Sequence, residues 1–194
     1  MTVFVAHPAS GPLRGSLRVP GDKSISHRAI LLAALADGLS TISGLSTGDD
    51  VARTLAAVAA FGARVDRSGG RVTIEGGRDL LAEPIAPVDV GNSGTAIRLL
   101  AGWAAGIDGL CVLHGDASIA RRPMARVVQP LRQMGARVDG REGGSYPPLV
   151  VRGGCLRGID YAVPVASAQV KGAILLAGLA ADGPTTVREA TPTR

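Results

Sequence analysis

Apolar positions along the chain follow two periods. From Ile25 to Ala36 the run ISHRAILLAALA spaces Ile, Leu and Ala at helical intervals and stops near Gly38, which predicts a helix. Ser40 to Ser43, β-branched at its centre, reads as a short strand. Asp49 and Asp50 then precede a second helical stretch reaching about Phe61, where carboxylates suit the positive helix end and are expected to cap it. Ala63 to Asp66 and Arg71 to Glu75 alternate apolar and polar residues across Ser68-Gly69-Gly70, the pattern of a hairpin. A strand from Leu13 to Val19 is expected to lead into this series.

The pattern recurs. Segments 31–77 and 99–154 share an LLA opening, a Gly-ended helix, a short β-branched run, a helix closing in GARVD and a hairpin ending in Gly-Gly. A third copy opens at Leu175 with LLAGLAADGPTTVREATPTR. Leading strands at Ile85–Val90 and Gly158–Val163 complete the plan in the later copies. The expected fold is α/β, with repeated βαβαββ units in a pseudo-threefold arrangement around helices and the third unit incomplete. Residues 1–194 are therefore expected to form one truncated domain.

Composition narrows the classes. With 46% hydrophobic and 19% charged residues, the chain has the makings of a folded core. Two Cys without a C-x-x-C and three His leave no ligand set for a structural zinc site and no disulfide framework, so a reducing, cytoplasmic setting is expected. Apolar runs such as Ala29–Ala36 fall short of the roughly 20 residues of a membrane span. A net charge of +5 suits an anionic partner, but 3% aromatic residues and dispersed arginines give little support to a nucleic-acid face. Of the 21 basic residues only Lys23 and Lys171 are lysines, and each stands in a polar turn or at the start of an apolar segment.

Three candidate sites sit at equivalent helix starts. In PGDKSISHRA a strand ends in Pro-Gly, a Ser is expected to cap the helix, and Ser24 and Arg28 stand at i and i+4 beside Lys23. Free backbone N–H groups, a hydroxyl and a nearby cation are what a phosphate needs. His27 reads as a packing or capping residue. In GNSGTA, Gly91 and Gly94 permit a tight turn, and Asn92, Ser93 or Thr95 can cap. In SAQVK, Ser167, Gln169 and Lys171 repeat the theme. Arg121-Arg122-Pro123 is expected to open a helix with Pro123 in its first position and Arg122 beside its start. Asp22, Asp49, Asp50 and Asp116 read as caps or turn formers, so the site binds anions without showing an acid or a base. No H-E-x-x-H or G-x-G-x-x-G pattern is present.

PGDKSISHRA, GNSGTAIRLL, GDASIARRPM and VPVASAQVKGAILLAGL, in this order and spacing, resemble the 5-enolpyruvylshikimate-3-phosphate synthase family over nearly the whole chain. The related transferase acting on UDP-N-acetylglucosamine has no KSISHR counterpart, and its reactive Cys loop finds no match around Cys111 or Cys155. The resemblance implies transfer of the carboxyvinyl group of phosphoenolpyruvate to the 5-hydroxyl of shikimate 3-phosphate, with neither metal nor cofactor. It implies that Lys23 touches both substrates and is catalytic, and that Ser24, Arg28, Ser167 and Gln169 hold shikimate 3-phosphate. Asn92 and Gly94 line the phosphoenolpyruvate side, with Arg122 as its charge partner, and Gly94 is where a side chain would crowd glyphosate. Ala168 stands where some members have a second Ser, Lys171 faces away from the ligand, and Arg194 matches the start of a T-R-D-H-T-E stretch. The family is built of two similar domains, and the acid–base Asp lies in the second, which is expected to be absent here. No nucleic acid or membrane partner is implied, and the full-length protein is expected to be a monomer. The competing expectation is a non-catalytic anion or nucleic-acid binding module.

Overall fold

Asp22 starts the first regular element. In this computed structural model, which describes residues 2–193, its carboxylate accepts the Ile25 N–H at 2.7 Å and caps helix α1 (Lys23–Leu35). The expected serine cap is thus replaced by the preceding aspartate. Strand β1 (Gly38–Ser43) and helix α2 (Asp49–Ala60) follow. Gly48 is the residue flanking α2 and makes no side-chain cap, so Asp49 and Asp50 lie inside the first turn and act there by charge. The predicted hairpin is present as β2 (Arg64–Ser68) and β3 (Arg71–Gly76), and the three strands pair antiparallel in the order β1-β3-β2.

The same order then recurs. Strand β4 (Val88–Asp89) is shorter than the expected Ile85–Val90, because Ile85 is fully exposed and has nothing to pack on. Helix α3 (Gly94–Ala105), strand β5 (Gly109–His114) and helix α4 (Ala125–Gln133) come next. Strand β6 (Arg137–Gly140), a single distorted turn α5 (Arg141–Gly144) and strand β7 (Tyr146–Gly153) close the series. These strands form a sheet in the order β4-β5-β7-β6, with β4 parallel to β5 and the other pairs antiparallel. Helix α4 begins later than expected. A 3-10 turn over Ile119–Arg121 comes first, leaving Arg122 extended and Pro123 ahead of the helix rather than in its first turn.

The last series has strands β8 (Leu156–Arg157) and β9 (Asp160–Val163), then helix α6 (Ala168–Gly178). After it, β10 (Ala181–Asp182) pairs parallel with β8, and β11 (Thr186–Glu189) pairs parallel with β9. Arg194, matched to the T-R-D-H-T-E stretch, lies outside the described residues.

One expected strand does not form. Residues 13–19 make no strand pair; Leu13, Leu17 and Val19 are exposed, and β1 pairs with β3 alone.

The core centres on α3, whose residues are all buried except Thr95. Fully burying side chains such as Ile97 and Leu100 contributes about 1.5–3 kcal/mol each. Trp103 donates its indole N–H to Leu31 O at 3.0 Å and meets the Phe61 ring edge-on at 4.9 Å, tying α1 and the end of α2 to α3. At Gly102 a Cβ would overlap Ala173 O, so α3 and α6 approach backbone to backbone. No helix among the described residues is long and apolar enough to cross a membrane, and Cys111 (buried) and Cys155 (exposed) are both free thiols.

Candidate functional site

Helices α3 and α6 start beside one another, and their first turns are joined through one arginine. Ser93 caps α3 by accepting the Ala96 N–H at 3.1 Å, and Ser167 caps α6 by accepting the Val170 N–H at 3.4 Å. Both serines are spent on local amides. Arg98, one turn into α3, donates to Gly94 O at 3.1 Å, to Gln169 Oε1 at 2.7 Å and to Pro123 O at 3.3 Å. Gln169 in turn donates to Thr95 Oγ1 at 3.0 Å. Arg122 completes the cluster by donating to Asn92 Oδ1 at 2.9 Å, and its guanidinium lies so close to Gly94 that a Cβ there would overlap Nη1.

The charge of this cluster is uncompensated. Among the described residues no carboxylate pairs with Arg98, Arg122 or Arg126. Burial first, and then the charges of Arg126 and Arg122, pull the Arg98 guanidinium below its usual range, and its buried Nε has no partner. Three cations held together beside two helix starts form a site that an oxyanion would neutralise.

The first helix start is organised differently. Lys23 opens α1 and donates to Asp50 Oδ2 at 2.9 Å, which leaves two of its three ammonium protons free. Among the described residues, the side chains of Ser24 and Arg28 make no hydrogen bond with each other or with other groups of the chain. They are donors without an internal role. Ser26 instead accepts the Ser46 N–H at 2.9 Å and donates to Asp22 O at 2.7 Å, fixing the loop after β1 against α1. A bridge toward α3 runs through Arg53, which donates to Asp49 at 3.4 Å and to Asp89 at 2.6 Å, while Asp89 accepts the Gly91 N–H at 2.8 Å.

The remaining candidates fall into place as structural groups. Lys171 donates to Glu189 Oε2 at 2.6 Å and to Thr193 O at 2.8 Å, so it serves the last strand and not the cluster. Those bonds from Lys171 and Thr193 hold the Glu189 carboxyl below its usual range. Asp116 accepts the N–H groups of Ser118 and Ile119, both at 2.9 Å, as a turn former does. Arg98 is the polar partner that sequence reasoning did not single out, whereas Thr95 and Asp50, expected as caps, bond to Gln169 and Lys23 instead. The only local sign of Arg98 is a guanidinium in an otherwise apolar helix.

His27 is fully buried, with Nδ1 at 2.7 Å from Thr54 Oγ1 and Nε2 without a partner. Burial pulls its imidazole below the ordinary 6.5, with the Asp50 charge opposing and Lys23 and Arg28 adding to the shift. The folded state therefore holds His27 neutral while the unfolded chain protonates it, so stability is lost as pH falls through 6.5 and below. Thermal unfolding from pH 7.5 to 5.5 should show a falling Tm, and His27→Asn should flatten that fall. Equal slopes in the two proteins would place the pH dependence elsewhere.

Known proteins resemble this chain along its length. The sequence model of the EPSP synthase (3-phosphoshikimate 1-carboxyvinyltransferase) family matches residues 8–194. A 3-phosphoshikimate 1-carboxyvinyltransferase from Shouchella clausii is 52% identical over 194 residues, covering 100% of this chain and 45% of the relative. One from Anaeromyxobacter dehalogenans is 54% identical over 185 residues, covering 95% of this chain and 42% of the relative. The solved EPSP synthase of Acinetobacter baumannii superposes with a TM-score of 0.88 at 45% identity, over 93% of this chain and 41% of that one. The chain spans under half the length of these relatives, and it belongs to the EPSP synthase family.

Proposed function

We propose that the protein contributes one half of an enolpyruvyl transfer site, in which phosphoenolpyruvate gives its carboxyvinyl group to the 5-hydroxyl of shikimate 3-phosphate. The observation that carries this reading is the uncompensated Arg98–Arg122–Arg126 cluster, wired to Asn92, Gly94 and Gln169 at the starts of α3 and α6. Two multiply charged anions side by side repel one another, and a preorganised set of cations and amides offsets that repulsion without reorganising. The hydroxyl gives up its proton as its oxygen bonds to C2 of phosphoenolpyruvate, and C3 takes a proton, giving a tetrahedral adduct. Loss of a C3 proton and of inorganic phosphate then restores the double bond.

In this reading Lys23, shared with Asp50, turns its remaining protons to both substrates and is the catalytic residue of this half. Ser24, Arg28, Ser167 and Gln169 hold shikimate 3-phosphate, Ser24 through a free hydroxyl and Ser167 through the proton that its cap leaves available. Asn92, the Gly94 backbone and Arg122 take phosphoenolpyruvate. The proton-transfer groups belong to a second domain outside residues 1–194, and the three series of elements share a pseudo-threefold plan. The same reading carries a cytoplasmic monomer that binds neither nucleic acid nor membrane and needs no cofactor.

Calorimetric titration of the chain with shikimate 3-phosphate should give saturable, weak binding, and a coupled phosphate-release assay should give no turnover. Product from the purified chain would overturn the placement of the proton-transfer groups. Heat that appears with any polyanion and vanishes with salt would favour a general anion-binding module instead.

A further inference from the structure

The repeat contains its own control experiment. Arg64 and Glu75 sit opposite one another in β2 and β3, and Arg64 Nη1 donates to Glu75 at 3.0 Å. In the second series the GARVD and Gly-Gly signatures put Arg137 and Arg152 in these two places, and the strand register pairs them directly. The third strand keeps a leucine in both rows, Leu39 opposite Glu75 and Leu110 opposite Arg152. One position has therefore reversed its charge while the surrounding row is retained. Like charges directly opposite in an antiparallel pair destabilise a sheet.

No carboxylate relieves this pair. Among the described residues the side chains of Arg137 and Arg152 make no hydrogen bond or ion pair, although Asp108 stands on the same rim. Both arginines line a recess of about 660 Å³, together with Gly106 and Ala180, just past the ends of α3 and α6. Capping of α3 does not account for them, since Trp103 O, Ala104 O and Ala105 O already accept from Gly106, Ile107 and Gly154. The recess lies at the opposite end of α3 and α6 from the candidate active site.

We propose that this recess is a second anion site, in which Arg137 and Arg152 clamp the phosphate group of a small phosphorylated ligand. Two facing guanidiniums supply two positive charges and forked donors, which a phosphate dianion matches in charge and in number of acceptor oxygens. A lone carboxylate would leave one positive charge unbalanced. The proposal does not depend on the enolpyruvyl-transfer reading.

Cys155 lines the recess and is exposed, while Cys111 is buried and its thiol is pushed up to about 12, so alkylation reports on Cys155. Inorganic phosphate at millimolar concentration should slow alkylation of Cys155 by iodoacetamide severalfold, and chloride at equal ionic strength should not. Arg152→Glu restores the arrangement of the first sheet, so this variant should fold, melt above the parent in phosphate-free buffer, and lose the protection. Equal protection by chloride, equal protection in Arg152→Glu, or none in the parent would each overturn the proposal.

Discussion

Gly94→Ala is expected to weaken binding of phosphoenolpyruvate and of glyphosate by about tenfold to a hundredfold, with shikimate 3-phosphate affinity nearly unchanged. The cause is steric and local. Gly94 is buried at the first position of α3, and the added methyl would overlap Arg122 Nη1 and come within 3.3 Å of Arg98 Nη1. Arg122 is the more exposed of the two guanidiniums and must swing away, breaking its 2.9 Å bond to Asn92. A hydrogen bond from a charged donor is worth about 1.5–3 kcal/mol, which sets the size of the effect. The groups assigned to shikimate 3-phosphate on α1 and α6 do not touch the new methyl. Parallel titrations of the three ligands decide the matter, and equal losses for all would count against the division of the site.

Arg98→Met should lower Tm by about 6–12 °C, the equivalent of about 3 kcal/mol in a chain of this size. The substitution fills similar space but strands two acceptors, Pro123 O and Gln169 Oε1, at the junction of α3, α4 and α6, while Gly94 O keeps its helical bond from the backbone N–H of residue 98. Relief of repulsion with Arg122 and Arg126 works in the other direction and is smaller, because both retain access to water. Arg98→Lys keeps the charge but reaches fewer of these acceptors, so it should recover only part of the loss. An unchanged or raised Tm in Arg98→Met would mean that repulsion within the cluster outweighs its hydrogen bonds.

Local pattern was enough for elements whose contacts are near in sequence. The hairpin around Ser68-Gly69-Gly70 follows from alternation and turn residues, and Val72 and Ile74 face the core as expected. The cap of α3 was narrowed to Asn92, Ser93 or Thr95, and Ser93 holds it. Contacts distant in sequence left little trace. Gln169 lies 71 residues from Arg98 and Asp50 lies 27 from Lys23, and no periodicity marks either pairing. Pro123 satisfied a local rule for a first helical turn, yet the 3-10 turn before it carries the chain past that position. The segment 13–19 alternates like a strand but finds nothing to bury, a fact that belongs to its surroundings and not to its residues. The candidate residues were readable as a group because the helix starts repeat, whereas Arg98, which joins two of those starts, occurs in the sequence as one charge in an apolar run.

Burial of α3 on nearly every side also bears on how slowly its amide protons escape. Exchange there requires separating α3 from α1, α4 and α6 at once, so these amides should follow the slowest, global opening of the molecule. The start of α1, by contrast, stands in solvent at Lys23, Ser24 and Ile25 and can fray by itself. The candidate residues on α3 thus stand on an element as long-lived as the fold, and those at the start of α1 on one that breathes on a faster clock.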